Sequence, residues 1–373
     1  MGNLMACCRK KSKPKPKPKP KPKQSSSSFR SLPGGKERAS SRMNNAQQQA
    51  VAYILSQQEQ NGHAKYERSF ERSSSTRTNP LAGPTQGLSR SSSARPRSSK
   101  DPLLQPQHLI SQDAKLSADL ETKHFVLIHG GGFGAWCWYK TIALLEDTGF
   151  KATAIDLTGS GIDSTDPNKI TSLAQYVKPL IEFFEKLGKN EKVILVGHDF
   201  GGACISFAME RFPSNVAKAV FISAAMVTNR QRTFDIFAQE VMEPDCLLRK
   251  AQIFIYANGN ANPPTSIELD KKLLKDMLFN HSPAKDVALA SVSMRPIPFA
   301  PFLEKLSLTE RNYGSVRRFF IETSDDQAIT PSIQENLIKL NSPEQVVRVK
   351  GSDHSPFFSK PQALHKLLLE IAQ

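Results

Sequence analysis

From about residue 121 onward, short apolar runs alternate with longer amphipathic stretches, and that alternation predicts strand following helix along most of the chain. Lys123–His129 is an apolar run closed by Gly130-Gly131-Gly132, as expected of a buried strand. A helix is predicted over Tyr139–Asp147, a strand over Lys151–Leu157, and a polar loop over Gly159–Lys169. A second helix spans Leu173–Leu187 and stops at Gly188, a common helix terminator. Lys192–Val196 is β-branched and apolar, a helix over 202–211 follows, and Ala217–Ile222 forms a further strand. Between about 225 and 310 the alternation lapses into Pro, Asn and short apolar runs, as in Asn258-Gly259-Asn260-Ala261-Asn262-Pro263-Pro264. This segment is expected to be an inserted cap over the C-terminal edge of the sheet, where open α/β sheets hold their ligands. Strands Val316–Glu322 and Gln345–Lys350 and a closing helix Gln362–Ala372 resume the pattern. The fold class is therefore α/β: a mostly parallel sheet with helices on both faces.

Charge divides the chain more sharply than length does. Residues 1–100 hold 21 Lys/Arg and four acidic residues, against 29 and 31 in the remainder, so the whole net charge of +15 belongs to the first hundred. The domain predicted over 121–373 has no basic excess, which argues against nucleic-acid binding. No apolar stretch approaches the ~20 residues of a membrane-spanning helix. The five cysteines have no C-x-x-C spacing, so neither a disulfide framework nor a zinc site is expected. The first hundred residues form a basic, Ser/Pro-rich extension expected to be disordered. Its start, Met1-Gly2-Asn3-Leu4-Met5-Ala6-Cys7-Cys8, is close to a myristoylation signal on Gly2 followed by palmitoylation sites at Cys7 and Cys8, with Ala6 departing from the consensus. With the lysine-proline run at 13–23 it would hold residues 1–23 to an anionic membrane surface at the cytosolic face. The alternative is a chloroplast transit peptide, which the Ser/Arg-rich, acid-poor stretch 24–100 also fits. Asn44–Gln60 could form one short helix.

The chemistry centres on Val196-Gly197-His198-Asp199-Phe200-Gly201-Gly202. A strand, a glycine-flanked turn and a helix make the nucleophile elbow of an α/β-hydrolase, and the nucleophile position carries a carboxylate, Asp199. The chain order nucleophile, acid, histidine is completed by Asp326 and His354, each just past a predicted strand end. Asp325 is a rival for the acid. Backbone N–H groups of Phe200 and Gly131 are the expected oxyanion hole. His129 and His198 follow strands beside tight turns and are expected to be hydrogen-bonded structural residues. Trp136, Trp138, Phe221 and Phe299 are expected in core or pocket wall.

The stretches HFVLIHGGGFGAWCWYK, AIDLTGSGID, VILVGHDFGGACIS, NYGSVRR and GSDHSPFF resemble the plant methylesterase and hydroxynitrile lyase family of α/β-hydrolases. The likeness extends over residues 121–373, and the basic, Ser-rich extension with Asp101-Pro102-Leu103-Leu104-Gln105-Pro106 resembles its plastid-assigned branch. The resemblance implies an esterase without cofactor or metal, acting on methyl esters of small signalling acids such as indole-acetic, jasmonic or salicylic acid. It implies that Asp326 is the acid and His354 the base, with oxyanion amides at Gly131 and Phe200. The lyases of this family place threonine after the strand-end histidine and lysine after the catalytic histidine; here those positions are Gly130 and Ser355, which disfavours lyase chemistry. An aspartate at the elbow leaves three readings open. It is the nucleophile or water-positioning group of an altered methylesterase, the alkyl-accepting carboxylate of an alkyl-carbon hydrolase, or part of a pseudoenzyme that binds an ester or acid without turning it over.

Overall fold

The computed structural model describes residues 120–237 and 246–373. The expectations placed on Gly2, Cys7, Cys8, the 1–100 extension and Asn44–Gln60 lie outside the described residues. Six strands form one parallel sheet: β1 (His124–Ile128), β2 (Lys151–Ile155), β3 (Val193–His198), β4 (Val216–Ile222), β8 (Arg317–Thr323) and β9 (Gln345–Val349). Their order across the sheet is β2-β1-β3-β4-β8-β9. Every residue of β3 and β4 is buried, as expected of central strands covered on both faces.

The period-two geometry of a strand sorts these residues into two cores. Val126, Leu195, Phe221 and Phe320 face one side; Leu127, Val196, Val220 and Ile321 face the other. On the second side lie α1 (Tyr139–Asp147) and the C-terminal helix Pro361–Ala372, whose Leu364, Leu368 and Ile371 share one face. On the first lie helices α2 (Leu173–Tyr176), α3 (Lys178–Lys186) and α4 (Gly201–Arg211). Phe221, central in β4 and fully buried, gives a direct test. Phe221→Ala is expected to lower stability by about 3–5 kcal/mol, measured by denaturant titration against the parent chain.

The single helix expected over Leu173–Leu187 is two helices. Ser172 caps the first by accepting from the Gln175 N–H at 3.2 Å, and Val177 separates it from the second. Pro179, in the first turn of α3, has no N–H to give to the preceding turn and breaks the ladder there. Between β4 and β8, where regular alternation fails, the chain builds its own three-stranded antiparallel sheet from β5 (Gln252–Ile255), β6 (Ser266–Leu269) and β7 (Ile297–Pro298). The Asn- and Pro-rich run is the loop joining β5 to β6. Strands of two to four residues are too short to carry a visible period, which is why the sequence pattern looks irregular there. A helix over Pro331–Leu340, opening on its proline, also went unpredicted.

Candidate active site

Four of the parallel strands bring residues to the same edge of the sheet. Gly131 follows β1, Asp199 follows β3, Asp326 follows β8 and His354 follows β9, all beyond the strands' C-terminal ends. The turn after β3 is tight enough to hold Asp199 at φ 50°, a left-handed conformation that a non-glycine residue keeps only under constraint. Gly201 makes the turn possible. A Cβ there would lie 2.6 Å from the His129 carbonyl oxygen, so only glycine lets the helix start this close to β1. Gly130 serves the site in the same way, since a Cβ at that position would lie 2.7 Å from Cβ of Asp199.

Asp326 and His354 meet directly. His354 Nδ1 lies 2.8 Å from Asp326 Oδ2, both side chains being buried. Asp326 is held from every side. Its Oδ1 accepts from the N–H groups of Ala328 and Ile329, each at 2.8 Å. Its Oδ2 accepts from Ser223 Oγ at 2.9 Å and Thr323 Oγ1 at 3.0 Å as well as from the imidazole. With Nδ1 fixed as one of the donors to this carboxylate, the imidazole is left with Nε2 for other work. The rival carboxylate, Asp325, is turned away and lies 3.0 Å from His281 Nε2.

One of the expected oxyanion amides is already engaged, on an oxygen of the protein itself: the Gly131 N–H donates to Asp199 Oδ2 at 2.8 Å. The Phe200 amide, next along the chain, favours the charged form of the same carboxylate. Burial pushes the Asp199 carboxyl above its ordinary value, against the opposing pull of His354 and the two amides. Burial likewise works against a charged His354, but Asp326 and Asp199 together outweigh it and raise the imidazole above its usual value. His198 is the reverse case: burial and the neighbouring His354 hold it well below the usual imidazole range. Its Nε2 bonds the His354 carbonyl oxygen at 2.8 Å, and the two rings lie 4.5 Å apart. His129 bonds the Gly130 carbonyl at 2.8 Å and accepts from the Leu157 N–H at 3.1 Å. Both histidines thus have the hydrogen-bonded structural surroundings expected of them.

Two supports of the site escaped the sequence analysis. Ser223, just past β4 at φ 41°, is one; it sits on the same strand-end edge as the other three residues, which was the available signal. The other is Asp353. It is buried, accepts from the Ser355 N–H at 3.0 Å, and reaches across to the His281 N–H at 2.9 Å and Ser282 Oγ at 2.7 Å. The residue after it is His354, so this carboxylate ties the imidazole's loop to the segment between β4 and β8.

Asp199, His354 and Gly131 form the polar floor of a cavity of about 780 Å³ with its mouth included. Its walls are apolar: Phe133, Phe234, Phe254, Phe299 and Phe302 with Leu248, Ile267, Met277 and Ile297, broken by the side chain of Gln252. Trp138 and Phe221 are core residues and Trp136 packs half-buried against the core, whereas Phe299 is pocket wall.

Residues 125–367 match the family model described as "Alpha/beta hydrolase family". The chain belongs to the α/β-hydrolase family. It is 66% identical over 304 residues to "Putative methylesterase 11, chloroplastic" of Arabidopsis thaliana, covering 82% of this chain and 77% of that one. It spans 64% and 65% of the length of two further Arabidopsis relatives carrying the same kind of name. Among solved structures, a methylesterase from Arabidopsis superposes with a TM-score of 0.60 at 34% identity, over 66% of this chain and 98% of that one. Tomato methylketone synthase I complexed with 2-tridecanone gives 0.62 at 38% identity, over 67% and 98%. Within this family of ester hydrolases, the arrangement supplies a carboxylate at the elbow, a carboxylate-supported imidazole beside it, and an apolar chamber above both.

Proposed function

We propose that this α/β-hydrolase cleaves methyl esters of small, largely apolar carboxylic acids, methyl indole-acetate and methyl jasmonate among them. The observation that carries this reading is the polar floor of the cavity, where Asp199 and the Asp326-supported His354 face one apolar chamber. An ester presents a single small polar group on an otherwise apolar body, which fits that division of surface. Asp326 fixes the tautomer and orientation of His354, and His354 moves the proton. Asp199 supplies the reacting carboxylate. The relatives named methylesterases, and a solved neighbour complexed with an apolar ketone, support the same class of ligand.

The test is turnover of a methyl-ester panel by the full chain, followed by release of methanol. Expected is hydrolysis that improves as the acid moiety becomes bulkier and more apolar, until the chamber is filled. Saturable binding of the esters with no methanol from any of them would replace this reading with that of a ligand-binding protein.

Three relatives named chloroplastic, together with the Ser/Arg-rich character of residues 24–100, support delivery to the chloroplast. A fluorescent reporter fused after residue 100 should enter plastids. Membrane association that disappears on Gly2→Ala would instead establish the acylated anchor.

A further inference from the structure

We infer that this hydrolase opens its ester at the alkyl–oxygen bond, with Asp199 Oδ1 attacking the methyl carbon while Oδ2 stays in the oxyanion hole. The inference rests on the methyl-ester reading above and specifies which bond of that ester breaks. Three observations carry it.

First, the oxyanion hole is occupied from within: the Gly131 amide is already bonded to Asp199 Oδ2. Attack at the carbonyl carbon would build negative charge on a substrate oxygen while that donor is engaged elsewhere. Second, a carboxylate anchored through one oxygen presents the other in a fixed direction, which suits in-line displacement at a small tetrahedral carbon. A methyl group is the least hindered such carbon. Third, the carboxylate is half-buried at the floor of an apolar chamber, where it lacks much of the water shell that would blunt it as a nucleophile.

The chemistry balances without any further reagent. A lone pair of Asp199 Oδ1 forms the new bond to the methyl carbon, and the old methyl–oxygen bond breaks with its electrons passing to the departing carboxylate. Negative charge moves from Asp199 to the product and none is created. Asp199 is now a neutral methyl ester whose carbonyl oxygen, Oδ2, already sits against the Gly131 amide. His354, paired with Asp326 through Nδ1, takes a proton from water at Nε2, and the hydroxide adds to Cγ of Asp199. The charge that develops on Oδ2 falls where the Gly131 donor already points. Collapse expels methanol with the proton from His354 and returns Asp199 as an acid, which ionises to restore the carboxylate. One of its oxygens now comes from water, and the net reaction remains ester plus water to acid plus methanol.

The returning negative charge of Asp199 also gives the carboxylate product a reason to leave. In a chamber this apolar, two like charges near one another are strongly disfavoured.

The experiment is turnover of a methyl ester by the full chain in water enriched in heavy oxygen. Expected is label in Asp199 after the first turnover and in the methanol from the second turnover onward, with the acid free of label throughout. Label in the acid after a single turnover would overturn alkyl–oxygen cleavage and leave the methyl-ester reading intact, whereas no turnover of any ester would remove both. A single-turnover trial with His354→Gln adds an independent readout. The peptide containing Asp199 should retain a methyl group's added mass, because the second step has lost its base. A parent enzyme that cleaves isopropyl esters as fast as methyl esters would also overturn the inference, since displacement at a branched carbon is obstructed and carbonyl attack is not.

Discussion

Asp199→Asn is expected to cut methyl-ester turnover by about 10⁶-fold, the scale found for loss of a nucleophile, while leaving a chain that is more stable than the parent near neutral pH. The two effects have one source. Burial raises the folded-state affinity of Asp199 for a proton, so the folded chain keeps that proton at pH values where the unfolded chain has released it. Stability contributed by the protonated group is therefore lost as pH climbs from the ordinary carboxylate range through the folded value. Above that window the parent carries the full cost of a desolvated charge, about 1.4 kcal/mol for each unit of displacement. Asparagine carries none, and its amide oxygen can still accept from the Gly131 N–H. Melting curves of both proteins should coincide in strong acid and diverge as pH rises, with the variant higher by roughly 2–4 °C for each kcal/mol. A difference in melting temperature independent of pH would refute this account of the carboxylate.

The second large effect is expected at Asp326→Asn. The substituted amide would turn an N–H toward a group that itself needs an acceptor, so the imidazole would lose both its preferred tautomer and its charge support. A fall of about 10⁴-fold in kcat is expected, the scale measured when a triad aspartate is made asparagine. KM should change little, because Asp326 lies behind His354 and does not line the cavity. The pH profile separates this from simple damage. In the parent, activity needs neutral His354 and should climb with pH to a midpoint above the usual imidazole value; in the variant that midpoint should move down, since Asp326 is the foremost of the groups holding it up. An unchanged midpoint would assign Asp326 a purely structural part.

The parallel sheet was legible because its central strands are buried on both faces, so β1 and β3 stand out as apolar runs, β4 is broken only by Lys218, and β8 keeps an apolar centre at Phe319–Ile321. The elbow was legible because glycines flank a polar residue between such a strand and a helix. Asp326 could be named as acid, yet only the fold separates it from Asp325 next door, since one residue's difference in a turn reverses where the side chain points. The destination of the Gly131 amide was beyond sequence reasoning. Two backbone donors can be placed near an elbow by motif, but whether a longer side chain reaches back into them depends on its torsions within the turn. The three-stranded sheet between β4 and β8 was missed for a simpler reason: elements this short take their form from one another, and the local pattern of residues is silent about such pairings.

Asp353 clamps the 281–282 turn against the very loop that carries the imidazole, and its grip has a bearing on ligand breadth. That flank of the chamber cannot yield without displacing the proton carrier. Accommodation of larger or differently shaped acids therefore falls to the far flank, where Phe234, Phe254 and Phe299 meet edge to face and no polar tie pins the rings. Selectivity is thus to be tuned among those aromatic rings, at a distance from the atoms that react.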